Sequence, residues 1–159
     1  MVRKSVLLAA FAAFFVSSVF AAELGTKKTL TLELVKGIAE AAQSFAEKND
    51  WNVIIAILDD GGNLLYFQRM DGAQIGSIDV ALRKAESAIK FRRPTKAFSD
   101  GVGSRVQLIQ LPGSMAFEGG VPIEHDGQIL GSIGISGATA EQDGMIAQAG
   151  LDALAKLLR

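Results

Sequence analysis

Two carboxylates stand close together near the end of the chain, in Thr139-Ala140-Glu141-Gln142-Asp143. Thr139 followed three residues later by Gln142 is a capping box, so Glu141 and Asp143 fall in the first turn of a helix. There they can simply complement the helix dipole, at roughly 0.3–1 kcal/mol each. As a general acid or base, either would need a raised pKa inside a cleft, and both are candidates for that role. Just upstream, Gly131, Gly134 and Gly137 punctuate an apolar run. Such glycines let a helix or a second subunit press on the backbone, or leave bare backbone for a ligand. No phosphate-loop pattern accompanies them.

The cations Arg69, Arg83, Lys84, Arg92 and Arg93 form either a clamp for a carboxylate or propionate, or a solvated basic face. His125 is the only histidine, beside the turn Asp126-Gly127. It is either a solvated turn residue or, if iron is held by an imidazole, the metal ligand. Tyr66, Met70, Met115 and Met145 are the other axial donors, each with an alternative place in packing. One histidine cannot build a multi-histidine zinc site within a chain. Without cysteine there is no thiolate nucleophile and no covalent haem attachment. Ser132 and Ser136 lack the elbow of a serine hydrolase.

These residues need elements to hold them. Leu32, Val35, Ile38, Ala39, Ala42, Phe45 and Ala46 recur at helical spacing, which predicts a helix over residues 31–49. Residues 51–58 are apolar and rich in β-branched residues except for Asn52, as in a strand buried on both faces. Asp59-Asp60-Gly61-Gly62-Asn63 turns the chain into a second strand over residues 64–70. A second helix starts near Ser77 and ends before Pro94. Residues 95–113 read as irregular, with a short helix at 95–98 and an extended piece at 107–111. Strands over 120–124 and 128–136 flank the Asp126-Gly127 hairpin turn. The last helix runs from Thr139 to about Leu158. Hairpins dominate, so the expected class is α+β, an antiparallel sheet with helices packed on it. No parallel crossover is demanded, which argues against a dinucleotide fold.

The 159 residues begin like an exported chain: Arg3 and Lys4, then an apolar stretch over residues 6–20, then Ala21. A leader over residues 1–21 and one domain over 22–159 are expected. The location is then periplasmic or secreted, with no stable membrane insertion once the leader is removed. Its loss leaves 14 basic and 17 acidic residues, a net charge of −3. Nucleic acid is a poor partner for such a surface.

Five segments in order resemble the GlcG/HbpS-like family, also called the haem-degrading domain. They are Arg69-Met70-Asp71-Gly72-Ala73, Lys84-Ala85, Pro94-Thr95, Gly119-Gly120-Val121-Pro122-Ile123, and Gly131 to Gly137 with Glu141-Gln142-Asp143. The resemblance implies a profilin-like fold with a five-stranded antiparallel sheet flanked by helices, and a homo-oligomer. It implies a small-molecule ligand, with haem or another tetrapyrrole as the cofactor of exported relatives. Its segments supply the ligand-binding candidates Arg69, Lys84, Thr95, Gly119, Gly120 and Glu141, beside His125. A sensor protein is a further possible partner. Burying roughly 400 Å² of macrocycle gives on the order of 10 kcal/mol before association costs. The favoured reading is an exported tetrapyrrole-binding protein rather than an enzyme. The alternatives are an accessory or enzyme of small-acid (glycolate-type) catabolism, and a structural or sensor-partner protein.

Overall fold

The computed structural model describes residues 22–158, so the leader expected over residues 1–21 lies outside them. The order is α1 (Leu32–Lys48), β1 (Ile54–Asp59), β2 (Leu64–Arg69), α2 (Ser77–Phe91), α3 (Lys96–Val102), a 3-10 helix (Val106–Gln110), β3 (Gly120–His125), β4 (Gln128–Ser136) and α4 (Ala140–Leu157).

Local chemistry sets the ends. The Thr31 hydroxyl accepts from the Leu34 amide at 3.3 Å and starts α1, while Asn49 closes it by donating to the Phe45 carbonyl at 2.8 Å. At α4 both halves of the capping box are made, Gln142 N to Thr139 Oγ1 and Thr139 N to Gln142 Oε1. Arg92 takes a left-handed conformation (φ 53°) and ends α2 two residues before Pro94.

The sheet order is β2-β1-β4-β3, antiparallel throughout. Central β1 is buried on both faces, which is why its sequence shows no polar alternation. Ile55 and Ile57 face the layer of α1 and α4, together with Ile123, Ile133 and Ile135. Ile54, Ala56 and Leu58 face α2 through Ala81 and Ala85. Gly120 and Gly134 stand opposite each other in the β3–β4 ladder. A Cβ on Gly134 would collide with the backbone of Ala81 and Ala85, and one on Gly120 with the Lys84 carbonyl. Close packing of a helix is therefore what these two glycines serve.

Among the described residues the sheet has four strands, not the expected five. The piece expected to be extended at 107–111 is mostly 3-10 helix, with Leu108 N donating to Arg105 O at 3.0 Å. Val106, Ile109 and Leu111 are all exposed, so no apolar face drives this segment onto the sheet. The short helix before it extends over Lys96–Val102 rather than 95–98. No helix among the described residues is long and apolar enough to cross a membrane.

Candidate functional site

The antiparallel order brings the start of β1, the end of β2, the start of β3 and the end of β4 to one end of the sheet. Arg69, Ile54 and Ser136 form one row across β2, β1 and β4 there. Gly119 and Gly120 lead into β3 at the same end. The turns at 59–63 and 126–127 lie at the other end, with His125. Gly120 and His125 are separated by about 17 Å of strand.

Lys84 and Asp143 meet at the first of these ends. Lys84 Nζ donates to Asp143 Oδ2 at 2.7 Å and to the Ile135 carbonyl at 2.9 Å. Both side chains are 2% exposed. The other carboxylate oxygen of Asp143 accepts from the Ala138 amide at 3.1 Å. Loss of water pushes the Asp143 carboxyl above its ordinary range, against the pull of the Lys84 charge and these hydrogen bonds. Gly119, at φ 123°, makes the room: a Cβ there would lie 2.9 Å from Lys84 Nζ and 2.8 Å from Asp143 Cβ.

Two clefts flank the segment that leads into Gly120. The first, of about 380 Å³, has Lys84, Asp143, Ser77 and Ser136 in its lining and apolar side chains including Val80, Met115 and Phe117. The second, of about 330 Å³, runs between the start of β3 and α4. Its lining includes Pro94, Gly120, Val121 and the half-exposed Met145, with Lys96 and Glu118.

The remaining candidates fall as follows. Arg69 lines a third, polar cleft with Gln43, Glu47, Gln68 and Asp71, and its Nε donates to the Ala73 carbonyl at 2.9 Å. Thr95 is fully buried: its hydroxyl accepts from the Gly120 amide at 3.0 Å, and its own amide donates to the Gly120 carbonyl at 2.9 Å. It ties the start of α3 to β3. Gly119 and Gly120 line the second cleft. Glu141 is exposed in the first turn of α4. His125 lies 3.2 Å from Asp126 at the far hairpin turn. The structure thus joins Lys84, Asp143, Gly119, Gly120 and Thr95, sets Arg69 and Glu141 at the same end, and holds His125 apart. Among the described residues no three His, Asp or Glu side chains gather as a metal cluster.

Sequence reasoning did not single out Phe117 or Lys96, and it gave neither Met115 nor Ser136 a place in the first cleft. One signal was available: Ser136 shares the α2-facing side of β4 with Ser132 and Gly134, a polar interruption in an otherwise buried strand.

The fold and its clefts define a small sandwich class, one antiparallel sheet between helical layers with its polar buried pair at a single sheet end. The chain belongs to the HbpS-like family: the model described as haem degrading protein HbpS-like matches residues 30–152. It is similar to protein GlcG of Escherichia coli (strain K12), 40% identical over 112 residues that cover 70% of this chain and 84% of that protein. A crystal structure of a Streptomyces reticuli HbpS double mutant matches with TM-score 0.76 at 34% identity, over 87% of this chain and 97% of that one. The crystal structure of a PduOC:haem complex matches with TM-score 0.72 at 29% identity, over 79% of this chain and 95% of that one.

Proposed function

We propose that this protein is exported, binds haem or a related tetrapyrrole, and acts as a homo-oligomer. Family membership and the haem complex of a relative support this reading. The observation that carries it here is the cleft between β3 and α4. Its walls are mostly apolar, and the half-exposed Met145 and the exposed Lys96 are part of its lining. Among the described residues Lys96 pairs with the exposed carboxylate of Asp100 at 3.0 Å and, more loosely, with the partly buried one of Glu118 at 3.4 Å. The exposed pair with Asp100 is worth at most about 1 kcal/mol, so a propionate can exchange with it cheaply. Met145 would offer a thioether to the iron, and Lys96 would hold a propionate. The haem itself would supply the redox and oxygen chemistry.

In a homo-oligomer a second copy would cover part of the macrocycle's face. A periplasmic or secreted location follows from the leader expected over residues 1–21, and a sensor partner is compatible with it. The test is hemin titration of the mature protein. A saturable Soret shift is the expected result, and its absence rejects the reading.

A further inference from the structure

The cleft above the Lys84–Asp143 pair has a different chemistry from its neighbour. An ammonium group has three N–H donors. Lys84 spends two, on Asp143 and on the Ile135 carbonyl, and the third has no acceptor among the described residues. Ser136, the residue after Ile135, lines the same cleft as Lys84. Ser136 is only 5% exposed, and its side chain has no hydrogen-bond partner among the described residues. No side-chain atom there is both fully sealed and unpaired, so this hydroxyl opens into the cleft that Ser136 lines. Two unspent donors therefore sit nearly buried beneath walls that include Val80, Met115 and Phe117.

Charge then selects the ligand. Lys84 and Asp143 are the only ionisable groups lining this cleft, and they cancel. A carboxylate on Lys84 would bring a second anion beside Asp143 in a poorly solvated place. A carbonyl oxygen has two lone pairs and no charge, which suits two donors in one cleft over a neutral floor. Gly119 keeps the pair in reach, since any side chain there would press on Lys84 Nζ. A cleft of about 380 Å³ is within the size range of small-ligand sites.

We propose that this cleft binds a small uncharged aldehyde or ketone, its apolar body against Val80 and Phe117 and its oxygen on Lys84 and Ser136. The site neither requires nor excludes haem in the adjacent cleft.

The test uses three molecules of similar size: acetophenone, ethylbenzene and benzoate. Each is titrated into isotope-labelled protein at neutral pH, reading the amide shifts of Phe117, Ser136 and Ala138. Acetophenone should saturate these shifts and bind at least about tenfold more tightly than ethylbenzene, the lower end of the range for a hydrogen bond to a charged donor. Benzoate should bind more weakly than acetophenone. Ser136→Ala should weaken acetophenone about three- to tenfold and leave ethylbenzene unchanged. Val80→Trp should block both neutral molecules. The proposal is overturned if acetophenone does no better than ethylbenzene, if benzoate matches it, or if none of the three gives a saturable shift at these residues. The ligand series on the unaltered protein decides the matter even where a variant does not fold. Hemin binding measured alongside stands or falls separately.

Discussion

Lys84 Nζ lies 2.7 Å from Asp143 Oδ2, and this contact joins helices that pack on opposite faces of the sheet. Lys84 comes from α2, reaches past the Ile135 carbonyl at the end of β4, and meets the first turn of α4. The pair locks all three layers at the sheet end where the clefts lie.

Removing one partner strands the other without water. Lys84→Met should cost about 3–5 kcal/mol, read from the urea midpoint. The double variant Lys84→Met with Asp143→Leu should recover much of that loss, because an apolar pair of similar volume leaves no buried charge. A double variant no more stable than the single one would show that the pair contributes through its own attraction.

Two aspartates should shift stability with pH in opposite directions. The folded carboxyl of Asp143 is raised above its ordinary 3.8 by burial. Its contribution is complete below that value and is lost as pH rises through the folded pKa, so the cost of Asp143→Asn should shrink across that window. Asp59 is lowered, chiefly by hydrogen bonds from the Asn63 side chain and amide. Its contribution is present above 3.8 and is lost as pH falls through the folded pKa, so Asp59→Asn should cost most near neutrality. Denaturation midpoints of the three proteins across pH check both signs.

Glycines of this chain should fail on substitution for different reasons. Gly134→Ala places a methyl group against the backbone of α2 and should cost about 3 kcal/mol or more. Gly127→Ala meets no neighbouring atom within 4 Å, but its φ is 71°. It should cost only about 1–2 kcal/mol, from backbone conformation alone. Thermal melts of the two variants separate overpacking from strain.

Hemin binding, placed in the cleft between β3 and α4, should depend on that end of the sheet. Met145→Ala should change the Soret position, and Lys96→Ala should weaken binding a few-fold, the scale of one exposed charge contact. His125→Ala should change neither, since His125 lies at the far turn. A Soret shift on losing His125 would move the iron to the other end of the hairpin or to a subunit contact.

Much of the architecture was legible in the residues. The apolar period of α1, the unbroken apolar run of β1, the Asp126-Gly127 turn and the Thr139 capping box each carry a local physical cause, and each element formed close to its expected place. Residues 106–110 did not behave as expected, because an apolar composition alone does not say whether a strand partner is available. The family segments brought Lys84, Thr95, Gly119 and Asp143 into view as separate stretches, without saying which of them touch.

By itself, then, the sequence determined the helices, the hairpins and the antiparallel class, because caps, turns and hydrophobic period act over a few residues. Only the tertiary structure decided that Lys84 would leave the α2 surface to be buried against Asp143, that Gly134 would serve a helix, and that His125 would stand apart from the clefts. Those outcomes depend on strand order and helix approach across 50 residues or more of chain, as in the separation of 59 between Lys84 and Asp143. No local pattern encodes where a charge loses its water.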